Sequence, residues 1–286
     1  MNELRTAGTV AVLTLREAAR RKVLLALAVL TLLLLLLSWW GFSKVASETG
    51  EQAMTSGETR LTASILLNLV MFGFSLIAAL GTAFLAGPTL SGEIDSGIAL
   101  SVLARPVRRW SFLLGKWVGL LVFGVGFVVV AGLAQCLVVK ATVDYWPPSI
   151  VTALALLAAQ TVVLLTLALL LSTAISPMAS GVISVGLFGT TWVAGVVGGI
   201  GQSLENDSVA RVGTVSRVLL PTDGLWRGAM HAFQDPAALS MFGDAGGRAF
   251  PFLSASPLTG QYLAWAAVWT LGIAGLAAVS FSRKDL

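Results

Sequence analysis

Six long runs of apolar residues divide the chain. They cover residues 23–42, 61–87, 112–139, 150–175, 181–200 and 258–281. A helix needs about 20 apolar residues to cross a bilayer, whereas a strand of a membrane barrel needs about 10 residues of alternating polarity. Because the runs are long and do not alternate, they predict six transmembrane helices and an all-α integral membrane protein.

A different periodicity precedes the first run. Apolar residues recur at helical spacing between residues 4 and 19, and basic residues lie on the opposite side or follow at the edge of the span. These basic residues are Arg5, Arg16, Arg20 and Arg21. The pattern predicts an amphipathic helix over residues 1–22 that lies in the headgroup layer against anionic lipid, ahead of a membrane domain over residues 23–286. A solvated helix that merely orients the next span is the alternative.

Composition restricts the class of protein. Apolar residues make up 56% of the chain and charged residues 11%, and the mean hydropathy is +0.88. A soluble domain carries about 25% charged residues, so the composition argues against a soluble enzyme, a disordered protein and a nucleic-acid-binding module. One Cys and one His cannot form a disulfide or a multi-histidine metal site, and no catalytic or metal site is expected.

The charges predict an orientation in the plasma (inner) membrane. If the N-terminus is cytoplasmic, 11 of the 18 Lys and Arg residues lie inside and 9 of the 14 Asp and Glu residues lie outside. An excess of Lys and Arg marks the cytoplasmic side, so both termini are expected there. Trp39 and Trp40 then end the first span at the outer interface, where they form an aromatic belt at the lipid boundary.

The longest cytoplasmic connection, residues 89–111, has the pattern of a docking segment. Asp95 can cap a short helix, and apolar pairs at i, i+4 spacing, such as Ile98 with Val102, give that helix an apolar face that includes Leu103. The residues that end it and lead into the third span are Arg105, Pro106, Arg108 and Arg109. A short apolar helix exposed to the cytosol needs a partner to cover it, unless the connection is a tight loop that packs on its own bundle.

The longest external connection, residues 201–257, contains a second amphipathic pattern at residues 221–233. Thr222 or Asp223 is expected to cap this helix. Its apolar stripe consists of Trp226, Met230 and Phe233. We interpret the stripe as an interfacial helix or a cover on the bundle, with Trp226 at the lipid interface, in preference to a substrate site.

Small and polar residues within the spans suggest how they pack. Gly115 with Gly119, and Gly195 with Gly199, have the small-xxx-small spacing that permits close helix contact, either within the chain or at a dimer seam. Strongly polar residues inside the spans are mainly Asn68, Gln135 and Gln160. The near absence of ionisable groups there argues against proton-coupled transport and favours a pathway for hydrophobic or amphipathic cargo.

Three segments resemble the coupling-helix region of type-2 ABC exporter permeases. They are residues 91–97 (SGEIDSG), 104–110 (ARPVRRW) and 114–116 (LGK). The N-terminal amphipathic helix is similar to the elbow helix of that family, and residues 281–286 (FSRKDL) are similar to its basic ending. The resemblance extends over the whole chain, with six spans and a long last external loop in the family's order.

The resemblance implies a permease that forms half of a membrane dimer, with each half docked through its coupling helix to a separate ATPase subunit. ATP and Mg²⁺ would bind to that ATPase, and this chain, which has no phosphate loop, would hold no cofactor. The residues implied to couple the permease to the ATPase are Gly92, Glu93, Asp95, Gly97, Ile98, Val102, Leu103, Arg105, Pro106, Arg108 and Arg109. Among them, Arg105, Arg108 and Arg109 would contact either the ATPase or lipid phosphate. ATP-driven closure of the two ATPases would rock the spans and move a substrate outward.

Two other classes of protein stay open at this point. An ion-driven secondary transporter or channel would move its substrate without an ATPase. A membrane assembly factor would not transport at all. The cargo also stays open among antibiotics, peptides, lipids and the maturation of periplasmic metalloenzymes, since a fold does not identify a substrate.

Overall fold

A computed structural model describes residues 3–20, 22–47, 56–95, 108–236 and 250–283, and these residues form helices and their connections with no strand among them. The helices are α1 (Glu3–Arg20), α2 (Lys22–Ser47), α3 (Ser56–Asp95), α4 (Arg109–Val143), α5 (Ile150–Ala174), α6 (Pro177–Ser203), α7 (Asp207–Leu219), α8 (Thr222–Phe233) and α9 (Gly260–Ser282). Within this part of the chain, α2 to α6 and α9 are long and apolar enough to cross a membrane. The six predicted spans are therefore confirmed as helices.

Local sequence signals set several helix ends. Pro177 occupies the start of α6, where its missing N–H leaves no bond unmade. Asp144 ends α4 in the left-handed conformation, with φ at 51°, and its backbone N–H donates to the carbonyl of Lys140. Helices α2, α3, α4 and α6 extend beyond their apolar runs because polar residues at their ends continue the helix without entering the apolar layer, whereas α5 and α9 begin and end within two residues of theirs.

Helix α5 lies at the centre of the bundle, in contact with α3, α4, α6, α8 and α9. Two-thirds of its apolar segment is buried (67%), whereas only 11% is buried in α2 and in α9. The Leu-rich surface of α2 is suited to lipid, because lipid tails are as apolar as leucine and exposure there carries no cost. Of the six spans, these two peripheral helices are the least buried within the described structure.

The two sides of the bundle can be identified from the contacts between chain segments. We call the side with the start of α4 and the end of α9 the near side, because Arg109 Nη1 donates to the carbonyl of Ser282 at 3.0 Å. We call the side with the end of α6 (Ser203) and the start of α9 (Gly260) the far side. The start of α1 is on the near side, since Glu3 pairs with Arg108.

The polar residues predicted inside the spans connect helices to their neighbours. Ser75 donates to Gln160 at 2.8 Å and joins α3 to α5. Gln135 donates to Ser38 at 2.5 Å and joins α4 to α2. Asn68 donates to the carbonyl of Phe252 at 2.9 Å. Such bonds pair donors that would be costly to leave unpaired in an apolar layer, and they connect neighbouring parts of the bundle.

Helices α7 and α8 fold back into the bundle from the far side. At about 1.5 Å per residue they measure about 20 Å and about 18 Å, too short to cross a hydrocarbon layer of about 30 Å. Helix α7 runs back along α6, where Gly198 and Gly213 bring the two backbones into direct contact. The tip between α7 and α8 reaches Thr191, whose hydroxyl lies 3.0 Å from that of Thr222. The predicted external connection is thus partly a helical hairpin inserted beside the spans.

Three aromatic residues of α9 hold the carbonyl end of α7. Tyr262 donates to the carbonyl of Arg217 at 3.0 Å, Trp265 to that of Val218 at 3.2 Å, and Trp269 to that of Leu219 at 2.9 Å. The last carbonyls of a helix have no partner within it, and a helix that ends beside apolar spans must find donors elsewhere. The aromatic residues of α9 supply them.

The stripe of α8 faces the protein core. Met230 and Phe233 are fully buried, and Trp226 is 1% exposed. The ring of Phe72 lies between those of Trp192 and Trp226, at centroid distances of 4.6 and 5.5 Å. The prediction that Trp226 lies at the lipid interface is wrong, because its ring joins an aromatic cluster shared by α3, α6 and α8. The alternative of a bundle cover describes α8 correctly.

Candidate functional site

The structure describes both borders of the predicted docking segment. The apolar part of α3 ends at Gly87, but the helix continues to Asp95, so Gly92, Glu93 and Asp95 lie in its last turns. Six predicted contacts, Gly97, Ile98, Val102, Leu103, Arg105 and Pro106, lie outside the described residues. The chain is described again from Arg108, which precedes the first residue of α4.

The start of α4 is tied to both terminal helices of the described chain. Arg108 Nε lies 2.8 Å from Glu3 Oε1 of α1, and Arg109 donates to the last residue of α9. The Arg108 side chain is 72% exposed, so this ion pair contributes little to stability and its guanidinium stays accessible. The described end of the docking segment is therefore held by α1 and α9 while a basic group faces outward.

Two glycines of α4 allow α1 to pack closely against it. A Cβ on Gly115 would lie 2.6 Å from the carbonyl oxygen of Ala7, and one on Gly119 would lie 2.7 Å from that of Ala11. Ala7 and Ala18 are buried at this interface, as the apolar face of the predicted helix requires. The Gly115–Gly119 pair thus serves packing within the chain. Its spacing therefore gives no support to a dimer contact at these residues.

A buried lysine adds an electrostatic contact between the same helices. The side chain of Lys116 is 6% exposed, and its Nζ lies 3.6 Å from Glu17 Oε2 of α1. The same ammonium lies 5.5 Å from the centroid of the Phe112 ring, within the range of a cation–π interaction. Lys116 belongs to the LGK segment, and the sequence alone did not indicate its partner, which lies 99 residues earlier.

The predicted lipid-contacting residues are exposed wherever they are described, apart from Trp226. Arg5, Arg16 and Arg20 are exposed on α1, and Arg21 lies outside the described residues. Trp39 and Trp40 are 56% and 58% exposed toward the far-side end of α2. Exposure is compatible with contact to headgroups and leaves the lipid-interface assignment as a prediction.

A second charged cluster lies in the inserted hairpin. Asp223 Oδ2 accepts from Arg217 Nε at 2.9 Å and from Arg227 Nε at 3.1 Å, and the carboxylate is 1% exposed. Arg227 Nη2 also donates to the carbonyl of Gly195 at 2.7 Å. A Cβ on Gly195 would collide with the Asp223 carboxylate, so this glycine of the second predicted small-residue pair also serves packing within the chain.

This cluster corrects the predicted cap of α8. The helix is preceded by Pro221, and no side chain caps it. The Asp223 carboxylate turns instead to two guanidiniums, because a charge inside the bundle needs ionic partners more than a backbone N–H needs a cap. The i, i+4 spacing of Asp223 and Arg227 in the sequence could have indicated this ion pair. Arg217 belongs to a different helix, and no sequence pattern indicated that it would contact Asp223.

Tyr145 joins the turn between α4 and α5 to α8, because its hydroxyl donates to the carbonyl of Phe233 at 2.7 Å. Burial raises the pKa of Tyr145 from 10.0 to about 12. We expect Tyr145→Phe to lower the free energy of unfolding by about 1 to 2 kcal/mol at neutral pH, because a buried carbonyl loses its donor. The bond requires the neutral phenol, so its contribution is complete below pH 10 and is lost as the pH rises toward 12.

Unfolding of the wild type and of Tyr145→Phe by a denaturing detergent at about pH 8 and about pH 11 checks both statements. The difference between the two proteins should narrow at the higher pH. A constant difference would show that the hydroxyl does not act as a hydrogen-bond donor.

Comparison with known proteins gives one finding for the whole chain. A family model described as ABC-2 family transporter protein matches residues 9–286, from within α1 to the last residue. No curated protein matches the sequence.

Proposed function

Since the chain belongs to the family of ABC-2 family transporter proteins, which are membrane subunits of ABC transporters, we propose that it is the permease of an ATP-driven exporter. It forms the substrate pathway as a dimer, with a second copy of itself as the favoured partner. ATP and Mg²⁺ bind to two separate ATPase subunits. The near side faces the cytoplasm, so both termini are cytoplasmic and the substrate moves toward the far side.

The observation that carries this proposal is the attachment of the start of α4. Residues 96–107 connect two long helices, and the α4 end of that connection is bonded to Glu3 of α1 and to Ser282 of α9. A force applied to this connection therefore reaches α3 and α4, which it joins, and also α1 and α9, which are bonded to the start of α4. An ATPase can drive transport only if it contacts the permease differently in two conformations, and a connection held in this way can pass such a difference to the spans.

Charge supports the orientation and the partner. The near side carries Arg5, Arg16 and Arg20 on the exposed face of α1 and the exposed Arg108 beside α4. Basic residues of this kind favour the cytoplasmic surface and attract anionic lipid. They also offer charged donors to acidic groups of a docked protein.

The substitutions Ile98→Arg and Leu103→Arg test the docking contact. We expect each to reduce co-purification of the ATPase at least tenfold, because a charged side chain would replace an apolar contact in the covered face. Membrane insertion should be unchanged. The measurement is the ratio of ATPase to permease after affinity purification of the permease from its native membrane.

Val151→Arg is the matched control, because Val151 is 79% exposed at the far-side start of α5. It should retain the ATPase in the normal ratio. Unchanged co-purification in both docking variants would contradict the proposal. Transport that persists after removal of the ATPase would favour the ion-driven alternative.

A further inference from the structure

The two arginines of the buried cluster have more donors than the cluster uses. Both guanidiniums contact the same oxygen, Asp223 Oδ2, through their Nε atoms. Among the described residues, neither terminal nitrogen of Arg217 has a hydrogen-bond partner. Of the two terminal nitrogens of Arg227, only Nη2 has one, the carbonyl of Gly195. One carboxylate therefore faces two full positive charges, and the cluster keeps a surplus of one positive charge.

A cavity of about 230 Å³ opens beside these donors on the far side. Its polar lining consists of Arg217, Arg227, Gln202, Ser254, Ser256, Thr259 and Tyr262. None of the described residues that line it is acidic. Arg217 and Arg227 are 22% and 16% exposed, which leaves them partly desolvated and therefore strong binders of a counter-charge.

The position of the cavity indicates the kind of anion. Gln202 stands one residue before the end of α6, and Thr259 immediately precedes α9, so the cavity lies where two spans leave the apolar layer. Lipid phosphates occupy this depth of a bilayer, and soluble anions reach it from the water.

We propose that this cavity is a binding site for a phosphate-type oxyanion, supplied either by the headgroup of an anionic phospholipid or by free phosphate. The Nη groups of Arg217 bind it in a forked geometry, and Asp223 fixes both guanidiniums in place from behind. Binding neutralises the surplus charge and closes the space between the inserted hairpin and residues 253–259. The site does not depend on an ATPase and can be tested without transport.

The test uses the full chain in maltoside micelles, which contain no phosphate. Two probes are titrated: inorganic phosphate, followed by calorimetry, and brominated phosphatidylglycerol, followed by quenching of tryptophan fluorescence. Brominated diacylglycerol, which has the same tails and no phosphate, is the lipid control. We expect the wild type to bind phosphatidylglycerol or phosphate and to prefer phosphatidylglycerol to diacylglycerol.

Two variants of the cavity should weaken binding of the effective probe about tenfold, as expected for loss of a charge-assisted bond. Arg217→Gln removes the fork and leaves Asp223 paired with Arg227. Ser256→Asp places a negative charge on the exposed rim without touching the cluster, so it tests the site even if Arg217→Gln unfolds the hairpin. Ser256→Asn and Arg211→Gln, at an exposed arginine of the same helix α7, should bind like the wild type.

The outcomes separate the two sources. Binding of phosphatidylglycerol that excess phosphate does not displace indicates a lipid headgroup, and binding of phosphate alone indicates a soluble anion. In either case, the site is supported if binding of the probe is weakened in Ser256→Asp and unchanged in Ser256→Asn. The absence of binding by both probes, wild-type binding in Ser256→Asp, or an equal loss in Arg211→Gln overturns the proposal.

Discussion

Asp223→Ala is expected to lower the free energy of unfolding by about 3 kcal/mol, as for other buried ion pairs that lose one partner. The substitution leaves Arg217 and Arg227 close together and partly buried with no anion between them. Each guanidinium then loses a charge-assisted bond and repels the other. These residues join α7 to α8 within the inserted hairpin and join α8 to Gly195 of α6. We therefore expect the hairpin to detach from α6 before the rest of the bundle unfolds.

The measurement is unfolding of the purified chain by a denaturing detergent, followed by tryptophan fluorescence. Asp207→Ala removes an exposed acid from the first turn of α7 and should cost less than about 1 kcal/mol. A triple variant, Asp223→Leu with Arg217→Met and Arg227→Met, should recover most of the loss, because it leaves no unpaired charge. If Asp223→Ala is as stable as Asp207→Ala, the cluster contributes nothing to the stability of the fold.

Gly115→Leu is expected to displace α1 from α4 and to cost about 3 kcal/mol. The nearest atom to the new Cβ, at 2.6 Å, is the backbone carbonyl oxygen of Ala7, which cannot move without its helix. Displacement of α1 also separates Glu17 from Lys116 and Glu3 from Arg108. Hydrogen exchange of the α1 amides should therefore rise at least tenfold.

Gly126→Leu is the matched control on the same helix, because no atom lies within 4 Å of a Cβ at that position. It should leave exchange in α1 unchanged. Equal exchange rates in the two variants would show that close packing at Gly115 does not hold α1. If Gly115→Leu still co-purifies the ATPase but stimulates its ATP hydrolysis less than the wild type does, the contact between α1 and α4 takes part in coupling ATP hydrolysis to transport.

The long apolar runs predicted the spans well, because a membrane admits few structures and residue type alone reveals them. Residue type could not show what an apolar stripe faces. Trp226, Met230 and Phe233 have the same pattern whether they contact lipid or protein, and only the fold shows that they lie in the core. Small-residue spacing had the same limit, since it predicts a close contact for Gly115 without identifying α1 as the neighbour.

Long-range charge pairs were also beyond sequence analysis. Glu17 and Lys116, or Arg217 and Asp223, are brought together by helix packing that no local pattern encodes. Helix α7 was missed for a related reason. It is short and carries several charges, which is typical of a solvated loop, and its place beside the spans depends on donors that α9 supplies.

That dependence on α9 has a consequence for biogenesis. The carbonyls of Arg217, Val218 and Leu219 find their donors in a helix that the ribosome synthesises about 45 residues later. Before α9 has been synthesised, these three carbonyls lack the donors described above, so stable packing of the hairpin beside the spans is expected only afterwards. Docking of α7 and α8 beside the spans is therefore expected to be a late step of folding that follows insertion of α9.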